Sequence, residues 1–446
     1  MTLPDGDAAS VATPPPTSLP VPPATDPGPD RTVGDDLPEV SSRFIWLMTL
    51  AQFGVFVAFI TPIAISLSIK VKQLAPDNEE YLGYITGAGA FAVVLVGPLV
   101  SILSDRTRTR WGRRRPYIVG GTAFGVGALL LMAQAPSILV LGAGWVLTQL
   151  TWGLAYGMLQ TVNADRLPES QRGRVSGLVG FATQVAPVLG VVLAGVFSGN
   201  NVLLFLVPGT VGVLLVATFV TLIPEPDSRG MNVAAGLGLL GFFGKYIYNP
   251  RRYPDYSWNW LGRFFFYFGL SLNTTFTAFF FAQRLGVTVE EVAGTIAVVS
   301  VGGILATTAG AIGGGFLSDK LRRRRVFVLL SGAFFAAGAV TMALSSGLPL
   351  LVVGSLLSSV GIGMFAAVDQ ALLMDVLPER DTDAGRFMSI IGFAVSIPQA
   401  VAPLLAPVFL AIGASGGEKN YTLLYLLAGV FTLIGGLVVL RIRSVR

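Results

Sequence analysis

Beyond a first stretch of about 43 residues without an apolar run, the chain alternates long apolar blocks with short polar ones as far as its last residues. Twelve blocks approach the roughly 20 residues that a 30 Å hydrocarbon layer demands of a helix. They cover residues 44–69, 83–103, 117–134, 137–163, 175–198, 202–223, 259–282, 292–316, 326–345, 348–374, 387–412 and 420–440. The pattern predicts an all-α membrane protein with twelve transmembrane helices, and an even number of crossings returns both termini to one side.

The polar blocks are not equivalent. Those on the termini's side carry Arg106 to Arg115, then Arg166, Arg172 and Arg174, then Lys245, Arg251 and Arg252, then Lys320 to Arg325, then Arg380 and Arg386, and finally Arg441, Arg443 and Arg446. The opposite blocks hold Lys70, Lys72, Arg284 and Lys419. Short loops rich in Lys and Arg stay in the cytoplasm, so the asymmetry predicts a multi-pass protein of the cell membrane with both termini cytoplasmic.

Composition narrows the function. Charged residues make up 12% and hydrophobic ones 53%, with a mean hydropathy of +0.70, whereas about a quarter of a soluble domain is charged. The net charge of +5 resides in short loops beside anionic headgroups, which argues for the lipid bilayer as a partner and against nucleic acid. The chain has no His and no Cys, which removes disulfides, thiol chemistry, imidazole proton relays and His or Cys metal sites. No cofactor, metal site or paired catalytic carboxylates can be read from it, and an enzyme is not expected.

Residues 1–43, rich in Pro, Asp, Ser and Thr, predict a disordered cytoplasmic tail, and they lack the apolar core of a signal peptide. Residues 224–258 mix Phe242, Phe243, Tyr246, Tyr248 and Tyr253 with cations, as expected of a cytoplasmic central loop that also lies on the inner headgroup layer. Residues 442–446 form a short cytoplasmic end.

The two halves repeat each other. Gln160 to Glu169 reads QTVNADRLPE and Gln370 to Glu379 reads QALLMDVLPE; Gly173-Arg174 recurs as Gly385-Arg386, and Gly180-Phe181-Ala182 as Gly392-Phe393-Ala394. The block SDRTRTRWGRRRP at Ser104 to Pro116 returns, shortened, as SDKLRRRR at Ser318 to Arg325. Two six-helix bundles, 44–223 and 259–441, are therefore expected about an axis along the membrane normal, with a substrate site at mid-depth between them.

Twelve spans, an Asp-Arg block after the second, a weaker copy after the eighth and a long central loop resemble the major facilitator superfamily. The wording SDRTRTRWGRRRPYI is similar to that of its sucrose-transporter and glycoside-pentoside-hexuronide cation symporter branch, which implies sugar transport by symport. The resemblance also implies a helix start near Arg386 as partner for Asp105. Asp105 ends its helix, where the dipole disfavours a carboxylate, so Arg113 and its neighbours and that helix start are the expected compensators. Asp105, Arg106, Gly112 and Arg113 then read as a latch formed when the cytoplasmic side closes, with Asp319 facing the helix start near Arg174 by pseudo-symmetry. The alternative is that these charges only fix topology. Asp165 and Asp375, at the ends of the fourth and tenth spans, are expected to pair with arginines such as Arg172 or Arg386 as gate parts.

Asp369 lies six residues before Asp375, about 9 Å deeper along the same helix. Proton binding for coupling, a bond to a substrate hydroxyl and pairing with a cation at the inner gate all stay open. The first half holds no such carboxylate, unlike the embedded acids expected of the branch, so the coupling ion, H⁺ or none, is open too. Substrate candidates are Gln52; Gln149, Trp152, Tyr156 and Gln160; Gln184; Tyr267, Asn273 and Thr274; Asp369 and Gln370; and Gln399. Trp152, Tyr156 and Gln160 recur every four residues, so one helix face offers aromatic rings and an amide to a sugar; interhelical hydrogen bonding is the alternative for each.

The leading reading is a monomeric secondary transporter of a small polar solute, a sugar or glycoside, working by alternating access with H⁺ as the candidate coupling ion. Export of amphipathic compounds through a cavity lined by Phe264, Phe265, Phe266 and Phe268, an uncoupled facilitator and, more remotely, a non-transporting membrane sensor are the alternatives.

Overall fold

The computed structural model describes residues 38–230, 248–379, 383–414 and 419–445. Most of the expected tail, the Phe242 to Tyr246 stretch of the central loop, and Arg380 lie outside the described residues.

Among the described residues the chain forms thirteen helices: α1 Ser42–Leu74, α2 Tyr81–Arg106, α3 Arg115–Ala133, α4 Ile138–Arg166, α5 Glu169–Val196, α6 Asn201–Leu222, α7 Pro254–Thr275, α8 Thr277–Leu285, α9 Val289–Leu321, α10 Arg324–Ala343, α11 Leu348–Val376, α12 Ala384–Ala411 and α13 Tyr421–Val439. Eleven are long and apolar enough to cross a membrane, and α7 with α8, bent by 51° at Phe276, makes the twelfth span. The all-helical, twelve-span fold is therefore the one the apolar blocks predict. Boundaries are fixed by local chemistry. Ser41, Ser137, Asn200 and Asn420 cap helix starts with their side chains, and Thr288 with Glu291 forms a capping box, each satisfying amide groups that the first turn leaves free. Pro62 has no N–H to give to the previous turn, and α1 absorbs the defect as a π turn over Pro62–Ser66, as such interruptions do.

The packing order repeats. In the first half α1 lies on α6 and α5, α3 on α4 and α6, and α2 on α4; in the second, α7 lies on α13 and α12, α10 on α11 and α13, and α9 on α11. Glycines let equivalent pairs touch backbone to backbone: a Cβ at Gly212 would stand 2.9 Å from the Gly54 carbonyl, and one at Gly435 would stand 2.7 Å from that of Gly262. Small residues at such crossings supply the close packing that drives association where lipid removes the hydrophobic advantage.

Between the halves, α2 meets α12 and α5 meets α9, and they meet at one end. A Cβ at Gly83 would lie 2.3 Å from the Pro403 carbonyl, and one at Gly87 would lie 2.5 Å from Leu404 Cγ; both contacts are on the arginine-poor face. Towards the arginine-rich face nothing stands within 4 Å of the Cβ positions of Gly173, Gly177, Gly180, Gly313, Gly385 and Gly392. The halves are closed on the arginine-poor side and splayed on the other.

Candidate functional site: polar residues between two gates

The sequence-predicted polar residues sort by depth. Trp152 is fully buried with its ring against Gly125 and Gly212, inside the first half. Tyr156, four residues on, is half-buried, 5.2 Å from the Phe56 ring, and Gln160 is exposed, donating to the Tyr156 hydroxyl at 3.1 Å. Residues at i+4 advance by about 40° around a helix, so the three turn progressively from core to open space instead of sharing one face. Tyr156 and Gln160 line a cleft of 620 Å³ between α4 and α5 with Asn163, Arg172 and Thr183. Gln149 is buried beside Gly89; Gln52 is fully buried with neither amide atom hydrogen-bonded, and the Asn273 amide nitrogen is likewise buried without a partner. Gln184, Thr274, Gln370 and Gln399 are exposed. Tyr267 stands edge-on to Phe365, 5.9 Å away.

Asp369 is 2% exposed and held by Arg263, whose Nε donates to Oδ2 at 2.6 Å, and by Asn259, whose amide donates to Oδ1 at 2.9 Å. A second Arg263 nitrogen pairs with the same oxygen and also reaches Gln370 Oε1 at 3.4 Å. The pair joins α7 to α11 inside the second half. Sequence reasoning missed Arg263 and Asn259, although a lone Arg inside an apolar block is a signal of its own. The block's expected start at 259 set Arg263 too near the loop; α7 in fact begins at Pro254, held by the Tyr256 hydroxyl donating to Phe387 O at 2.7 Å.

The arginine blocks make matching clamps. Arg114 bridges Asp105 at 2.7 Å and Asp165 at 3.4 Å, and Arg113 also reaches Asp165, at 2.8 Å. In the second half Arg324 bridges Asp319 at 3.1 Å and Asp375 at 2.5 Å. Each clamp therefore joins the ends of helices within one half. Two expected pairings are corrected: Arg172 bonds the Leu167 carbonyl, and Arg386 pairs with Asp383 at 3.1 Å, because the turn before α3 or α10 brings its own arginines between the neighbouring helix ends first. Asp105 and Asp319 stay 54% and 65% exposed, and Arg106 and Arg174 are exposed. Gly112, at φ +89°, makes the tight turn, and a Cβ there would collide with the Glu225 carboxyl, 2.2 Å away. Glu225 was not singled out in the sequence. It accepts from the backbone amides of Arg113, Arg114 and Arg115 at 3.1, 3.0 and 2.8 Å, neutralising the positive start of α3. Gly112→Ala is expected to weaken this mooring and lower the unfolding temperature by several degrees, read by thermal melting of the purified protein.

On the opposite face, among the described residues, two side-chain links cross between halves. Lys419 pairs with Glu80 at 2.8 Å, and the Tyr421 hydroxyl donates to Glu79 at 2.5 Å, with Lys72 on Glu79 at 2.7 Å. Burial alone would raise the Glu80 carboxyl, but Lys419 and the Asn78 amide outweigh it and hold the group below its ordinary 4.5. A depressed carboxylate stabilises the contact fully above its ordinary value and loses that contribution as pH falls through the lowered one. With spin labels attached beforehand to cysteines at Asp77 and Val287, which line one cleft from opposite halves, the label-to-label distance should stay constant down to about pH 5 and lengthen as pH falls below the ordinary carboxylate range.

Among the described residues no three His, Cys, Asp or Glu side chains gather to hold a metal.

Two pseudo-symmetric six-span bundles, closed at one gate and open at the other, define a polytopic membrane protein of the solute-transporter type. The family model for the Major Facilitator Superfamily matches residues 44–314 and 260–446, and the chain belongs to that superfamily of membrane transporters. It is similar to the general alpha-glucoside permease of Schizosaccharomyces pombe, 31% identical over 23% of this chain and 18% of the permease. It is also similar to the chloramphenicol efflux pump of Mycobacterium tuberculosis, 32% identical over 24% of this chain and 28% of the pump. Both matches span well under half of the relative's length. The crystal structure of the nucleoside transporter NupG superposes with a TM-score of 0.70 over 90% of this chain and 98% of NupG, at 11% identity, a likeness of fold.

Proposed function

We propose that the protein carries a small polar solute, a sugar or glycoside, across the cell membrane by alternating access, as a monomer with both termini in the cytoplasm. The observation that carries this reading is the asymmetry of the interface: glycine contacts and two polar links close the arginine-poor face, while the arginine-rich face stands open. With the arginine-rich loops cytoplasmic, this is the inward-open member of the pair of states that transport requires. Closing that side would bring α12, which starts beside Arg386, onto Asp105, and α5, with Arg174, onto Asp319. In the state described here those carboxylates lean on Arg114 and Arg324 instead. Asp105→Asn should cut turnover about tenfold or more with unchanged insertion; wild-type turnover in reconstituted counterflow would remove the latch.

A sugar is favoured by the amides of Gln160, Gln184, Gln370 and Gln399, exposed in the splayed state, by the Tyr156 ring, by the resemblance of SDRTRTRWGRRRP to the sucrose-transporter and glycoside symporter branch, and by the local likeness to an alpha-glucoside permease. Export of amphipathic compounds has the likeness to an efflux pump in its favour. Its proposed greasy lining is weaker: Phe266 and Phe268 are buried, with Phe266 stacked 3.6 Å from Phe365 and Phe268 4.6 Å from Phe431, and so fill the second half. Counterflow of labelled disaccharides, glycosides and cationic dyes separates the two, since saturable sugar exchange supports the first and dye movement the second. Symport with H⁺ rests on Asp369 and its partners.

A further inference from the structure

The two arginine clamps differ in one respect. Arg114 and Arg324 each bridge two aspartates; Arg115 and Arg325 each donate to a carbonyl in or just past the last helix of their half, Val220 and Ile442; Gly112 and Arg322 both take positive φ, +89° and +52°. The turns before α3 and α10 are thus structural counterparts. Before α3, the space over the first amides is filled by an anion that the chain supplies itself, the Glu225 carboxylate. Before α10 the Arg323 amide already gives to the Ser318 carbonyl at 3.3 Å; among the described residues no side chain accepts from the amides of Arg324 and Arg325, and neither Arg322 nor Arg323 makes an ion pair. Ser104 Oγ, beneath the first clamp, accepts from Arg114 at 2.8 Å. Its counterpart Ser318 is 1% exposed, and its Oγ has no partner. A cavity of 790 Å³ opens there, lined by Ser318, Arg322, Arg323 and Arg324 together with Asp319 and Asp375, both of which Arg324 already engages.

We propose that this cavity binds a phosphate group in the position that Glu225 occupies in the other half. A helix start, two unpaired guanidinium groups and a buried hydroxyl donor are the groups that recognise a phosphate oxygen, and planar guanidinium favours phosphate over a spherical anion. The carrier is either an anionic phospholipid or a free phosphate. Exposed Phe316, Leu321 and Val326 flank the site and would meet acyl chains.

The test is thermal melting of the full chain in nanodiscs of phosphatidylcholine alone or with phosphatidylglycerol, and in detergent with inorganic phosphate at constant ionic strength. Saturable stabilisation by phosphatidylglycerol, by phosphate or by both supports the site and identifies the carrier. The double variant Arg322→Gln/Arg323→Gln should weaken the apparent affinity at least about tenfold. Ser318→Ala, which changes no charge, should weaken it roughly three- to tenfold. Arg108→Gln/Arg110→Gln, in the block whose anion position is already filled, should leave it unchanged. Equal loss in both double variants would reduce the effect to general charge attraction and overturn the site, as would a wild-type protein that responds to neither probe.

Discussion

Replacing Asp369 with Ala is expected to destabilise the protein by about 3–5 kcal/mol, because it leaves the Arg263 guanidinium buried without its counter-charge. Arg263 is 8% exposed, and Asp369 supplies its short contact at Nε, 2.6 Å; water cannot replace that partner inside the second half. Arg263→Ala should cost a similar amount by orphaning the carboxylate. The double variant Asp369→Leu/Arg263→Met removes both charges at similar volume and is expected to recover most of the stability, since replacing a buried pair by apolar residues is often neutral or favourable. Melting temperature and yield of folded protein read these three outcomes. If the single variants melt like wild type, the pair is not structural. The stable double variant then separates architecture from coupling. Uptake that is driven by a pH gradient in the wild type and loses that drive here assigns coupling to the Asp369–Arg263 pair, whereas retained drive places the proton elsewhere.

Gly83→Leu is expected to reduce uptake at least about tenfold by preventing the arginine-poor gate from closing. Its Cβ position lies 2.3 Å from the Pro403 carbonyl oxygen, 3.2 Å from Phe276 Cζ and 3.3 Å from Pro407 Cδ, all in the other half. A backbone carbonyl has no rotamer to escape into, and close-packed surfaces yield only by moving apart. The state described here becomes costly, and the population moves to the one open on the arginine-poor face. Gly180→Leu makes the converse wedge. Nothing lies within 4 Å of its Cβ position now, so the present state tolerates it, while closure of the arginine-rich side is blocked. Both variants should fail in transport, and the distance between spin labels at Asp77 and Val287, which line one cleft from opposite halves, should lengthen in the first and keep its closed-gate value in the second. Normal uptake by Gly83→Leu would mean that the close approach is incidental.

The twelve spans were legible because lipid imposes a length and a composition on each crossing: residues 115–133 and 348–376 lie within two residues of the apolar blocks that announced them. The duplication was legible because both arginine blocks and both Q-x4-D-x-L-P-E segments survive as words. The site was less so. Trp152, Tyr156 and Gln160 share a spacing, but their exposure is set by which neighbour each meets as the helix turns. Glu225 and Glu80 were passed over because an acid in a polar loop looks alike whether it faces water or, like Glu225, receives three amides.

The sequence alone determined the number of spans, the side on which the arginines gather and the two-fold repeat, since these follow from the free energy of each segment in lipid and from residues near in sequence. Only the tertiary structure decided which carboxylate meets which arginine, that Asp369 is held by Arg263 across 106 residues of chain, and which gate is shut. Those depend on distances between helices remote in sequence, and the two ends of the interface differ by packing that no single segment encodes.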